Sequence, residues 1–303
     1  MTIEYRLANN NDLNQVSAVE ATAVDNVKKK YGFFEGRTNP LFDVVYFDFL
    51  MKKIPHAFWV AEDRGKIIGL STSWVRGSLW FLADLFILPS HQGRGVGRSL
   101  IERTLGSWRD TKILNRALIT FAYNPTSISL YMRFKMYSRE PLYFAGATSA
   151  TLRKNLKPPS KMKYEGVSNL NEITTDLKRI DMDALGFPLE WHHEYFLEVQ
   201  RAKCFVFTKG GRAEGYVYVR KDGRVGPLAV TSRLSLEDVM NTAISLAAEQ
   251  DAARVLLLFT GSSIQQVSAA LKCGLLIISP MLFMSTKPVG KWANYVCYSP
   301  GLM

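Results

Sequence analysis

The segment Ile87-Leu88-Pro89-Ser90-His91-Gln92-Gly93-Arg94-Gly95-Val96-Gly97-Arg98 holds the residues best suited to chemistry. Glycines at 93, 95 and 97 let the backbone turn tightly and let a ligand approach the N–H groups. A helix opening there adds unpaired donors and the positive end of its dipole. Such a loop is a pyrophosphate cradle by construction, and Arg94 and Arg98 add charge beside it. It is not a dinucleotide fingerprint, because Arg98 stands where the third glycine would be, and no Gly-Lys-Ser/Thr of a P-loop is present. Just upstream, Asp84 interrupts Trp80-Phe-Leu-Ala-Asp84-Leu-Phe-Ile, an otherwise apolar strand. Desolvation there should raise its pKa and suit it to general-base work. The alternative role for Asp84 is to cap a buried polar network. His91 is the rival base, but it abuts the loop and is expected to be exposed.

The elements that must position these residues follow from period and turn signals. Phe58 to Glu62, Ile67 to Val75 and Leu79 to Leu88 are rich in β-branched and aromatic residues, with turns at Asp63-Arg64-Gly65 and Arg76-Gly77. A helix from about Gly97 to Trp108, a strand from Ala117 to Ala122 and a helix opening at Pro125 follow. The same rhythm returns later. Cys204 to Thr208, Glu214 to Arg220 and Val225 to Val230 are strands, a capped helix opens at Ser235, Arg254 to Phe259 is a strand and Ser262 to Lys272 a helix. Each half closes on a further strand, which implies tandem copies of one α/β unit. Between them, Thr151 to Lys163 carries five basic residues, no acid and a Pro-Pro pair. It reads as a linker with no helix interior. The division is therefore 1–150, a linker at 151–163, and 164–303.

Gln92-x-x-Gly95-x-Gly97 after a strand ending in Ile-Leu-Pro, and Asn124-Pro-Thr-Ser127-Ile-Ser-Leu130-Tyr131 one strand later, carry a resemblance. So does the opening Ile3-Glu4-Tyr5-Arg6-Leu7-Ala8 with Asp12 and Val16 behind it. With these motifs the first half resembles the GNAT superfamily of acyl-CoA-dependent N-acyltransferases, and the chain as a whole resembles the tandem type. The resemblance implies an α/β (α+β) fold of two tandem GNAT-like domains, each a mixed, mostly antiparallel sheet flanked by helices. It implies that the backbone of Leu85, Phe86 and Ile87 pairs with the pantetheine arm of acetyl-CoA as an added strand. The amides of Gln92, Gly93, Arg94, Gly95, Val96, Gly97 and Arg98 would hold the pyrophosphate. Tyr131, one helical step from Ser127, would protonate the departing thiolate, with Asn124 holding the local backbone. Where the family continues Tyr-x-x-x-Gly-Phe, this chain has Lys135 in place of the glycine that ends the helix. An amine acceptor must also lose a proton. At a pKa near 10.4 about one lysine-type amine in 2,500 is neutral at pH 7, a handicap of roughly 4.6 kcal/mol, which gives Asp84 its task.

The second half lacks these functional positions. No Gln-x-x-Gly-x-Gly follows Gly226-Pro227-Leu-Ala, and alignment on Gly274 puts Ala270 at the tyrosine position and Ser263 at the asparagine position. This copy is expected not to use CoA and to shape the acceptor site or an oligomer contact, as in a homodimer. Its stretch Asp181 to Glu198 holds five acids and no Lys or Arg, which suits either a solvated helix face or attraction of a cationic amine. His192 and His193 point to different helix faces, and no metal is expected. In the first half, Tyr31, Phe33, Phe34, Phe42, Tyr46, Phe47 and Phe49 divide between core and an acceptor-pocket wall, the latter by resemblance.

The chain has 303 residues and a formal charge of +11, with +6 in the first 150 residues and +5 beyond. Charge spread this evenly suits an anionic ligand and makes nucleic acid the weakest partner. No apolar run spans a bilayer, the start is no signal peptide, and three cysteines form no C-x-x-C pair. The expectation is a cytoplasmic acetyl-CoA-dependent N-acetyltransferase with a small-molecule amine acceptor. A non-catalytic acyl-CoA-binding or regulatory module, and a protein or RNA acetyltransferase, are the alternatives.

Overall fold

The computed structural model describes residues 3–33, 41–156, 162–167, 169–250 and 252–303, with backbone alone for 41–43. The chain forms two compact units. The first comprises Met1–Ile119, Tyr123–Tyr137 and Met284–Lys287, and the second Thr120–Ala122, Ser138–Phe283 and Pro288–Met303.

In the first unit the elements are β1 (Glu4–Leu7), α1 (Leu13–Lys30), α2 (Leu41–Lys53), β2 (Phe58–Asp63), β3 (Lys66–Arg76), β4 (Leu79–Ile87), α3 (Val96–Gly106), β5 (Asn115–Phe121) as far as Ile119, and α4 (Pro125–Arg133). Strands β1 to β4 pair antiparallel in sequence order, and β4 pairs β5 in parallel. The β2–β3 turn has Arg64 and Gly65 both at positive φ, the twist a two-residue hairpin requires. Trp74, Trp80, Phe81 and Phe58 of the strands and Phe47 of α2 are fully buried and form core. Arg6 pins the entry to α1, reaching Asp12 (2.6 Å) and Glu62 (2.8 Å). Burial pushes the Asp12 carboxyl up. The Arg6 guanidinium and the Asn9 amide outweigh it and hold Asp12 below its ordinary value.

The second unit holds β6 (Tyr137–Thr148) from Ser138 on, α5 (Ser149–Asn155), β7 (Lys163–Val167), α6 (Leu170–Ala184), α7 (Trp191–Glu194), β8 (Lys203–Lys209), β9 (Arg212–Val219), β10 (Val225–Val230), α8 (Leu236–Ala248), β11 (Arg254–Thr260), α9 (Ile264–Lys272), β12 (Leu276–Ser285) to Phe283, and β13 (Tyr295–Val296). Its strands run in the orders β13-β10-β9-β8-β7 and β12-β6-β11. Val239, Met240, Ala243, Ile244 and Ala247 of α8 pack with Ala269 and Ala270 of α9 and with Val217, Leu228 and Val296. The molecule is thus a mixed α/β protein with mostly antiparallel sheets flanked by helices. Among the described residues no helix is long and apolar enough to cross a membrane.

Two readings are corrected here. The basic stretch after Ala150 is helical as far as Asn155. Thr148 caps α5 by accepting from the Thr151 amide (3.1 Å), Leu152 is buried, and Arg153 donates to Ala248 O (2.9 Å). The cap and the basic last turn favour the helix locally, and the prolines lie beyond it, at positions outside the described residues. The acidic stretch is not simply a solvated face, because Asp181 is fully buried. It accepts from the Leu189 amide (2.8 Å) and the Tyr216 hydroxyl (2.5 Å) and pairs with His193 Nε2 (2.9 Å). A carboxylate so enclosed has no capacity to draw a solvent amine. His192 and His193 are both buried too, and among the described residues no group of three His, Cys, Asp or Glu is arranged to hold a metal. Boundaries between the units fall within strands. All of β6 after Tyr137 belongs to the second unit and Met284–Lys287 to the first.

Candidate active site

Asp84 sits at a break in the regular pleat. The β3–β4 register runs from Ser73↔Leu82 to Thr72↔Asp84, so Ala83 is an extra residue on β4. A bulge of this kind re-aims the side chain that follows it. Asp84 is 5% exposed. Its Oδ2 accepts from the Tyr46 hydroxyl of α2 (3.0 Å) and from Thr72 Oγ1. Two hydroxyl donors thus fix the orientation of the carboxylate. Tyr46 belongs to the aromatic stretch noticed in the sequence, but its bond to a residue 38 positions away had no local signal. Thr72 was missed. It lies in Ser71-Thr72-Ser73, a polar run inside an apolar strand, and that run was the available clue.

The same bulge ends the β4–β5 ladder. Parallel pairing runs from Leu79↔Asn115 to Leu82↔Leu118 and stops. β4 itself continues against β3 through Leu85↔Ser71, Phe86↔Leu70 and Ile87↔Gly69. The outer backbone edge of Leu85, Phe86 and Ile87 therefore has no ladder with β5, and the two strands splay.

At the end of β4 a short turn, Pro89–His91, leads into the glycine loop. Gln92 donates from Nε2 to Ile87 O (2.9 Å) and ties the loop to the strand end. Gly93 and Gly95 lie at φ +74° and +82°, and a Cβ on either would meet nothing within 4 Å. Backbone conformation, not crowding, calls for glycine there, and the space above them is open. Gly97 has the opposite reason. A Cβ there would come 3.3 Å from both Ile87 Cδ1 and Leu130 Cδ2, so strand end, loop and α4 converge on it. Gly95 caps α3 without a side-chain bond, and the first turn carries no acid. Among the described residues no acceptor takes the amides from Gly93 to Arg98. The buried Val96 side chain anchors the loop in the core formed with Leu100 and Ile68. Arg94 is exposed, while Arg98 pairs with Glu102 (2.8 Å), an exposed pair that holds it weakly.

His91, expected to be exposed, is half-buried. Its Nδ1 lies 2.9 Å from Ser90 Oγ and its Nε2 3.4 Å from Asp63 Oδ2. Asn124 caps α4. It accepts from the Ser127 amide (3.4 Å) and donates to Ser127 Oγ (2.8 Å), and so holds the turn from which Tyr131 projects one helical step later. Tyr131 is 6% exposed. The helix still ends in a left-handed residue, with Lys135 itself at φ +63° and the Met136 amide closing on Tyr131 O (3.2 Å). Two further aromatics approach this turn. Phe33 stacks on Tyr123 (4.1 Å), and Tyr31 tilts against the same ring (5.8 Å). Tyr123, next to Asn124, was not singled out from the sequence. Phe47 packs on Phe58 as core. Phe34 and the Phe42 side chain lie outside the described residues.

Residues 24–136 match the model of the acetyltransferase (GNAT) family. No curated protein matches the chain in sequence. Among solved structures, a Pyrococcus horikoshii protein provisionally described as an acetyltransferase is similar at TM-score 0.77 and 15% identity, covering 99% of this chain and 96% of its own. A GCN5-related N-acetyltransferase from Sphaerobacter thermophilus is similar at 0.66 and 10%, covering 96% and 98%. A tandem GNAT protein from the clavulanic acid biosynthesis pathway is similar at 0.63 and 12%, covering 95% and 99%. At these identities the structures speak for the fold, while residues 24–136 are similar to the GNAT family of acetyltransferases.

Proposed function

We propose that the protein is an acetyl-CoA-dependent N-acetyltransferase in which an amine of a small molecule attacks the thioester directly, both substrates being bound together. The observation that carries this reading is the splay of β4 from β5, which leaves the backbone edge of Leu85–Ile87 leading straight into the open glycine loop. That pair of features fits an extended arm ending in a diphosphate. The edge offers strand-like hydrogen bonds, and the amides of Gly93 to Arg98 with the uncapped end of α3 offer the anion site, the Gln92 amide being taken by Pro89 O (3.4 Å). Bound there, acetyl-CoA supplies an activated acyl group.

The chain's own residues do the rest. Asp84, held by Tyr46 and Thr72, takes the proton from the amine, directly or through water. Tyr131 gives a proton to the departing sulfur, from a helix whose first turn Asn124 and Ser127 fix. No cysteine serves as an acyl carrier in this scheme. Cys204, Cys273 and Cys297 are buried, and burial pushes the Cys204 thiol up to about 12 and raises that of Cys297 as well. The catalytic work falls to the first half, up to about residue 150, and the copy from 164 onward supports the acceptor side or an oligomer contact. The protein acts in the cytoplasm. The test is release of free CoA thiol across polyamines, amino acids, aminoglycosides and peptides. Amine-dependent release with one class is expected. Tight CoA binding with no release for any amine would instead mark a binding module.

A further inference from the structure

The second unit contains the same bulge and splay. From Val225↔Val219 to Leu228↔Val217 the β10 strand gains one residue on β9 at Gly226-Pro227, as β4 does on β3 at Ala83. A parallel bridge, Arg224↔Leu256, joins the residue just before β10 to β11. By bulge position, Leu228 stands where Asp84 stands and Val217 where Thr72 stands, and both are buried. What differs is the content of the gap. There β13 lies between the strands, pairing antiparallel with β10 through Leu228↔Val296 and Ala229↔Tyr295. On its other side Cys297 bridges to Leu258, the Cys297 amide donating to Leu258 O (3.1 Å).

From these facts we infer that Trp292–Met303 is the resident occupant of the second splay, an internal counterpart of the acyl-carrier arm, so that the chain takes up one CoA and not two. The one-CoA part rests on the proposed use of the first splay. The occupancy does not. Three observations support it. The buried Gln266 clasps the segment, donating from Nε2 to Trp292 O (2.6 Å) and Tyr295 O (3.1 Å) while its Oε1 accepts from the Thr260 amide (3.0 Å). Gly226, at φ +122°, admits the segment's backbone so closely that a Cβ there would stand 2.7 Å from Cys297 O. Tyr295, Val296, Cys297, Leu302 and Met303 are all at most 1% exposed. An anion is also unwelcome at the adjoining helix. Ser235 caps α8, and Glu237 and Asp238 fill its first turn, whereas α3 begins bare.

Calorimetry on the full chain should give one CoA site, and none in Gly95→Glu. A second site, or residual binding in Gly95→Glu, overturns the inference. Amide exchange separates this from the activity reading. The amides of 295–297 should be as protected as those of β10, with or without CoA. Fast exchange there, or release on adding CoA, overturns the occupancy whatever the first splay binds. Gln266→Leu should speed exchange over 292–297 about tenfold, as expected for loss of such bonds. Unchanged exchange would remove the clasp on which the occupancy depends. If wild-type protein binds no CoA while 295–297 stay protected, the reading of the first splay has failed and the occupancy stands.

Discussion

The two splays of this chain begin with the same backbone accident and end in opposite states. In each, one extra residue on the middle strand peels it from its parallel neighbour. In the first unit the gap leads from Asp84 along Leu85–Ile87 to a loop in which Gly93 and Gly95 lie under open space. In the second the chain fills the gap itself, replaces the acid by Leu228, and caps the next helix. The lesson is that a bulge provides only an unsatisfied strand edge. Whether that edge becomes a ligand site depends on whether anything within the protein satisfies it first.

The contrast breaks most sharply at the loop. Gly95→Glu should weaken CoA binding about a hundredfold or more, since several charge-assisted bonds of about 1.5–3 kcal/mol each are lost. Its stability should fall by only about 1–2 kcal/mol, the cost of a side chain held at φ +82°, because no atom lies within 4 Å of the new Cβ. Calorimetry with unchanged affinity would refute the cradle. The mirror experiment places the missing acid in the second splay. Leu228→Asp buries an unpaired carboxylate and should cost about 3–5 kcal/mol in chemical denaturation, with no gain in CoA release. A neutral result would mean that the gap is wetter than its packing implies. Asp84→Asn should lower kcat about a hundredfold and flatten the rise of kcat/KM with pH, and a retained pH profile would clear Asp84 of the base role. For Tyr131→Phe a fall in kcat of about tenfold or more is expected, with CoA affinity within twofold. Equal turnover would take the phenol out of catalysis.

Acid should separate the units more gently. Asp12 has a depressed pKa in the folded state, so its ion pair stabilises the first unit fully above the ordinary aspartate value of about 3.9. That contribution fades as pH falls from there through the lower folded value. Asp12→Asn should remove this acid-sensitive increment. Denaturation midpoints that track wild type at every pH would contradict the assignment.

Much of this was legible beforehand because it is local. The glycine loop, the Asn124 cap and the alternation of strands and helices are written over spans of a few residues, where turn chemistry and period act directly. The helix at 149–155 escaped notice because its cap, Thr148, stands before the basic run that drew attention. The exposure expected of His91 failed because its partner, Asp63, is 28 residues away.

The amino-acid order by itself determined where the chain must turn, which strand faces are apolar, and where a bare helix end would offer its amides. Those depend on φ, side-chain volume and capping oxygens within reach of a few bonds. Only the tertiary structure decided that Tyr46 and Thr72 hold Asp84, that Asp181 is enclosed, and that residues 295–297 fill one gap while the other stays available. Each of these joins groups remote in sequence, and the choice among remote partners is made by packing and backbone satisfaction, which no short window of residues contains.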